Sequence, residues 1–394
     1  MNNITLKILS NYDKNTKFLD ISNKNIVGIL CLNDFKKLEE LNCSFNEITE
    51  IINFPYSLTH LNCSNNKILK FDNFPNSIIY LNYYNNECYE QQNIIEEITH
   101  LKLGDNFNQP IINLPSSITH LELGINFNQP INNLPSSITY LELGDSFNQP
   151  INNLPNSITH LTIEGYFNQP INNLPNSITH LTLGYEFNQS IDNLPSSITH
   201  LIIKGKFNKP INNLHASITY LELGFEFNQP INNLPSSLIH LTLGNNFNQS
   251  IDNLPNSITH LDLGSKFNQS INNLPSSITH LSLGYYFNYS LDNLPYSITN
   301  LIINFNQPIN NLPNSITHLT LGPHFNQPID TQETISDTHH KFIGCNLPSS
   351  ITHLILKNKY YNINFHNKIK KLPCNLSYLK INNIIKDIKT IIIC

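Results

Sequence analysis

The sequence predicts a repeat solenoid of mainly β structure. It is expected to be a right-handed coil with one short parallel strand per rung of about 20 residues and extended, non-helical return segments. Three observations predict it. Phenylalanine recurs at 107, 127, 147, 167, 187, 207, 227, 247, 267, 287, 305 and 325, and only the step from Phe287 to Phe305 departs from 20. A fixed period of roughly 20 to 50 residues marks an array whose copies bury their apolar faces only by stacking. Next, ITHLELG at 118–124 alternates, with Leu121 and Leu123 on one side and His120 and Glu122 on the other, the period of a half-buried strand. Finally, Phe127, Ile131 and Leu134 are spaced too irregularly for an amphipathic helix, and Pro130 and Pro135 break any helix through the return. Gly124 follows the strand, a residue that can take a positive φ where the chain must leave it.

Ile118, Leu121 and Leu123 match the first half of the leucine-rich repeat pattern LxxLxLxxN/CxL. The fuller wording FNQPI…LPSSITHLxLG, over roughly residues 98–356, resembles the FNIP repeat, a leucine-rich-repeat variant of social amoebae and of giant DNA viruses that infect amoebae. The resemblance implies a protein-interaction array. It also implies an alternative role as a regulatory or substrate-recognition adaptor in ubiquitin ligation, because in that family the repeats often follow an F-box. No F-box segment is visible here.

In chain order, residues 1–18 are expected to form an N-terminal cap. Residues 19–97 carry rungs in ordinary leucine-rich wording, such as Leu38-x-x-Leu41-x-Cys43-x-x-Asn46-x-Ile48. There the asparagine five residues after the rung leucine is expected to bond backbone in adjacent turns. Residues 98–356 carry the FNIP-type rungs, with an insertion at 330–345, and residues 357–394 a last rung and a C-terminal cap. The leucine register runs through, so one continuous solenoid is expected. In the FNIP-type rungs the phenylalanines should stack inside. Asn128, Asn148 and Asn168 should satisfy turn backbone, as should a second column at Asn113, Asn133 and Asn153.

Charged residues are 13% of the chain and the net charge is −6, which argues against the basic face that nucleic acid requires. No segment reaches the apolar length of a membrane span, and residues 1–15 lack a signal-peptide core. Cys43 and Cys63 fall on equivalent inward positions of neighbouring rungs among seven cysteines with no CxxC, and free thiols are expected. These features favour an intracellular, cytoplasmic protein, in host cytoplasm if viral, and a monomer is expected.

The conspicuous chemistry is a ring column one residue before each rung leucine: His100, His120, Tyr140, His160, His180, His200, Tyr220, His240, His260 and His280. Beside it runs a column containing Glu122, Glu142, Glu222 and Asp262, with threonines between. A flat ladder does not converge as structural metal ligands must, so no metal and no cofactor is expected. His339, His340, Asp337, Glu333 and Cys345 in the insertion fit no zinc spacing. No Ser-His-Asp, P-loop or GxGxxG wording appears, and no enzyme is expected. The reading is a non-enzymatic scaffold presenting a concave His/Tyr and Glu/Thr face to a protein partner.

Overall fold

The structure is a computed structural model and describes residues 8–69, 75–86, 97–309, 311–327, 347–357, 372–381 and 384–386. Among these, helical geometry is confined to Ile8 and Leu9. The chain forms two compact units, Met1–Gln189 with Asn193–Ile198, and Ser190–Asp192 with Thr199–Cys394.

The first unit is a parallel β-solenoid. Its rung strands are Phe18–Asp20, Glu40–Asn42, His60–Asn62, Tyr80–Asn82, His100–Lys102, His120–Leu123, Tyr140–Leu143, His160–Ile163 and His180–Leu183. Each pairs in parallel with the next, so that His160 faces His180 and Leu161 faces Leu181. The returns of its first rungs hold a feature the repeat pattern did not disclose, a two-stranded parallel sheet of Val27–Cys31 and Glu47–Ile52. The segment EITEII alternates between exposed and buried, and its β-branched residues suit a pleated, half-buried surface. The second unit is built alike from His200–Ile203, Tyr220–Leu223, His240–Leu243, His260–Leu263, His280–Leu283, Asn300–Ile303, His318–Leu321, His353–Leu356 and Tyr378–Ile381. Ile384–Lys386 folds back antiparallel on the last of these, which covers an otherwise open edge. The rest of the expected C-terminal cap, the 330–345 insertion with its histidines, and Cys88 lie outside the described residues.

The core consists of columns running from rung to rung. Ile118, Leu121, Leu123, Phe127 and Ile131 are buried, as are their equivalents in later rungs. The phenylalanine rings stack as expected: Phe107 to Phe127 at 6.0 Å and 2° in the first unit, and Phe227 to Phe247 to Phe267 at 6.1 Å and 5° per step in the second. The one irregular step is Phe287 to Phe305, at 5.4 Å and 47°, where the short rung has lost two residues.

Polar side chains bind the rungs together. Asn46 Nδ2 donates to the carbonyls of Ile21 and Cys43, and its Oδ1 accepts from the Ile26 amide. Buried Asn66 makes the same set with Cys43, Cys63 and Ile48. In the FNIP-type rungs the Asn128 Oδ1 accepts from the Asn148 amide at 3.0 Å, and Asn148 does the same for Asn168. Gln149 Nε2 also donates to the Asn128 carbonyl. A serine column adds a link that the wording LPSSI alone did not reveal, with Ser137 Oγ donating to the Ile118 carbonyl at 2.6 Å.

Two expectations change. Gly124 does not have a positive φ. A Cβ there would lie 2.6 Å from the Asp105 Cα and closer still to the Gly104 carbonyl, so the glycine is required by the approach of one rung's backbone to the next. Positive φ belongs to Gly165 and Gly205, where the glycine has slipped one place along the rung. The second asparagine column is the other change. Asn113, Asn133 and Asn153 are exposed; Asn113 takes a positive φ of 54°, but the equivalent Asn273 reaches the Asp252 carboxylate of the neighbouring rung. This column decorates the surface more than it satisfies turn backbone.

Candidate functional site

The alternation of each strand places the ring column on the face opposite the leucine core. In the first unit His100 and His120 stack at 4.0 Å, His120 and Tyr140 at 5.6 Å, Tyr140 and His160 at 6.2 Å, and His160 and His180 at 4.3 Å. The second unit continues the motif with His200 on Tyr220 at 5.6 Å, Tyr220 on His240 at 4.5 Å, His240 on His260 at 5.2 Å and His260 on His280 at 4.0 Å. Asn300 then replaces a ring. Spacing varies on both sides of the ~4.8 Å strand repeat, from 4.0 Å for His100 on His120 and His260 on His280 to 6.2 Å for Tyr140 beside His160.

The threonine column fixes these rings. Thr99, Thr119, Thr159, Thr179, Thr259 and Thr279 each hold the Nδ1 of the next residue's imidazole at 2.8–2.9 Å. The Thr119 hydroxyl is also 3.2 Å from the Thr99 carbonyl one rung back. One hydroxyl proton serves either acceptor. When the imidazole is neutral at Nδ1 the threonine donates to it. When Nδ1 is protonated it donates to the threonine oxygen, and the hydroxyl turns to the carbonyl. The fixed place of the threonines before each histidine in the sequence is the signal for this pairing.

Burial holds His100, His240, His280 and His318 below the ordinary imidazole pKa, and the positive charge of neighbouring histidines adds to the depression. Glu122 opposes it at His100 and Glu222 at His240.

The acidic column is not a bare row of carboxylates. Lys102 pairs with Glu122. The Tyr140 hydroxyl donates to Glu142 at 2.9 Å and that of Tyr220 to Glu222 at 3.3 Å. Burial and the Glu142 contact push the Tyr140 phenol well above its usual range. Asp262 is exposed beside Ser282, its register partner. A shallow hollow in the first unit brings Tyr84, Lys102, Asp105, Glu122, Glu142 and Asp145 together. Among the described residues no three His, Cys, Asp or Glu side chains converge as metal ligands, and no helix is long and apolar enough to cross a membrane. Cys43 and Cys63 are both buried and unbridged, and burial pushes the Cys43 thiol up to about 12.

The structure thus brings His100 through His180, with Glu122 and Glu142, onto one face of the first unit. It brings His200 through His280, with Glu222 and Asp262, onto one face of the second. What it adds is a surface of stacked rings, with imidazoles fixed by the threonines before them.

Comparison with known proteins agrees with this architecture. No curated protein matches the chain. Among solved structures, the giant-virus protein CroV588, described as a novel circular LRR protein structure, is 35% identical with a TM-score of 0.58; the match covers 88% of this chain and 66% of that one. This chain therefore spans just under two thirds of that protein. YopM from Yersinia enterocolitica WA-314 matches at 19% identity and a TM-score of 0.55, over 92% of this chain and 81% of that one, a likeness of fold alone. The family model described as FNIP Repeat matches in overlapping copies from residues 84–126 through 227–266 and 247–286 to 305–332. With well over half its length matched by these copies, the chain belongs to the FNIP-repeat family of leucine-rich-repeat-like β-solenoids.

Proposed function

We propose that the protein is a non-enzymatic interaction scaffold whose strand face, the His/Tyr column with the Glu/Thr column beside it, docks a protein partner. One observation carries the reading: the rings of that face are half-exposed yet already ordered, stacked on one another and pinned by threonine hydroxyls. Side chains immobilised before binding forfeit little rotamer entropy on association. Aromatic rings with polar edges are the side chains that concentrate binding energy at interfaces. The fold agrees, since stacked repeats offer an extended surface and no enclosed reaction site.

The test is capture of partners from native host cells on the full chain, compared with a variant carrying His240→Ala, Tyr220→Ala and His260→Ala. A protein retained by the native chain and lost from the variant supports the reading. Retention of the same proteins by both refutes it, and if those proteins are ubiquitin-ligase subunits, the adaptor role takes its place.

A further inference from the structure

The turn that follows each strand has its own surface, separate from the ring face. In the second unit it forms an open groove of about 720 Å³. Its floor is the asparagine ladder of Asn228, Asn248 and Asn268, and its wall is Glu226, Asn246, Lys266 and Tyr286, one side chain per rung. We propose that this groove binds a neutral, hydroxyl-rich ligand, a polysaccharide chain laid along the rungs.

The hydrogen-bonding inventory comes first. Each floor asparagine commits its Oδ1 to the next rung: Asn228 to the Asn248 amide, Asn248 to the Asn268 amide, Asn268 to the Asn288 amide. Their Nδ2 groups have no protein acceptor among the described residues. Gln249 and Gln269 spend their Nε2 groups on the preceding asparagine and keep their Oε1 atoms open. The groove floor therefore offers one amide donor per rung, and the Glu226 carboxylate is an acceptor in its wall. Sugar hydroxyls, which donate and accept at once, satisfy both kinds of group. Asn246 adds a second, independent sign. Its Oδ1 is buried without a hydrogen-bond partner, a costly condition in a folded chain. A turn of the Asn246 side chain toward the groove would bring that oxygen to a ligand hydroxyl.

Charge and shape narrow the class. Glu226 and Lys266 stand two rungs apart with no ion pair between them, and their charges cancel, so neither a polyanion nor a polycation is favoured. Tyr286 ends the wall 57% exposed and meets the Tyr285 ring edge to face at 4.8 Å, an aromatic end suited to the C–H face of a sugar. Tyr289 replaces the glutamine of the next position and is 47% exposed. The asparagine ladder stops there: the short rung places no Asn306 amide on Asn288, and bonding resumes only from Asn306 to Asn326. The groove thus has a polar length and an aromatic end. An extended peptide fits less well, because its ~3.3 Å rise per residue falls out of step with rungs ~4.8 Å apart, whereas a sugar ring is about as long as one rung is thick.

The test uses the full chain, with neutral hexasaccharides of glucose, N-acetylglucosamine, galactose and mannose as probes in calorimetric titration, and thermal melts alongside. At least one hexasaccharide should bind. Tyr286→Ala should weaken it ~10-fold or more with no change in melting temperature. Asn246→Ala should weaken binding while leaving the unliganded melting temperature equal or higher, because it removes an unsatisfied carbonyl. Tyr166→Ala, an exposed tyrosine of the first unit, should leave affinity unchanged. Failure of all four sugars to bind overturns the proposal, as does binding that Tyr286→Ala leaves within about twofold. If a random extended-peptide library is captured in a Tyr286-dependent way and the sugars are not, the groove is a peptide site and the proposal falls.

Discussion

Replacing Phe247 by alanine is the sharpest test of how the rungs hold together. Phe247 is fully buried, with Phe227 and Phe267 at 6.1 Å on either side and nearly parallel. Deleting a buried phenylalanine side chain costs about 3–5 kcal/mol, the higher values arising where the cavity cannot collapse. Collapse is resisted here. The Asn248 amide is tied to Asn228, the Asn268 amide to Asn248, and the Phe247 amide itself to the Gly244 carbonyl. A loss of about 4 kcal/mol is expected. Phe247→Leu keeps most of the volume but loses two ring pairs worth about 0.5–1.5 kcal/mol each, so about 1–2 kcal/mol is expected. Tyr296→Ala removes an aromatic ring that is 84% exposed and should stay within about 0.5 kcal/mol. A repeat array need not unfold in one step, so the assay is amide hydrogen exchange read rung by rung, with the losses centred on the strands His240–Leu243 and His260–Leu263. Equal losses in Phe247→Ala and Tyr296→Ala would refute the stacked core.

Other expectations follow from the same geometry. The depressed pKa values of His100, His240, His280 and His318 mean that the unfolded chain binds more protons between their folded pKa values and ~6.5; stability is therefore full above that window and falls as acid is added. Glu222 and His260 face His240 with opposing effects, so NMR titration of His240→Gln and His280→Gln should show a lower acid midpoint than the native chain, and an unmoved midpoint would make the column inert. Asn66→Ala strands the Ile48 amide, while the Cys43 and Cys63 carbonyls keep donors in Asn46 and Asn86, and should cost about 1–3 kcal/mol by denaturant titration; a loss under about 0.5 kcal/mol would contradict the ladder. Gly264→Ala forces a Cβ onto the Gly244 carbonyl, whereas Gly104→Ala meets its neighbours at 3.5 Å or more, so only the former should lower the melting temperature strongly. The Cys43 and Cys63 thiols, buried with raised pKa values, should react with thiol reagents only as fast as the rungs open, and rapid modification of native protein would show that the first unit is loosely packed.

The columns were legible because a 20-residue period repeats the same physics in each rung. Leucine alternation, the Phe127 and Phe147 stack, and the Asn128 ladder all follow from position alone. Gly124 was misread because a strand-ending glycine has two uses, and only the distance to Gly104 distinguishes a close approach from a positive φ. The Asn113 column was misread for a related reason: Asn beside Leu-Pro suits a turn, but whether its amide faces backbone or solvent depends on where the neighbouring rung lies. At the candidate face, the positions of His100 through His280 were readable, while their mutual distances were not. The spread from 4.0 Å to 6.2 Å depends on side-chain lean. Burial is the larger cause of the depressed histidine pKa values, and burial follows from packing that spacing does not reveal. Asn246 and its groove left no mark in the wording, because Glu226, Asn246, Lys266 and Tyr286 occupy a position where the repeats differ.

The inter-rung bonds have a consequence for folding. They join each residue to one 19, 20 or 21 positions away. Where neighbouring copies are nearly identical, a rung that skipped its true neighbour and docked on the next one would make almost the same bonds and expel a whole copy as a loop. Such slipped species are near-degenerate with the native state and separated from it by the breaking of many bonds, a recipe for slow and heterogeneous refolding. Irregularities are what make the alignment unique. The two residues missing before Phe305, and the slipped glycines at 165 and 205, act as index marks that let the growing chain find one register among many.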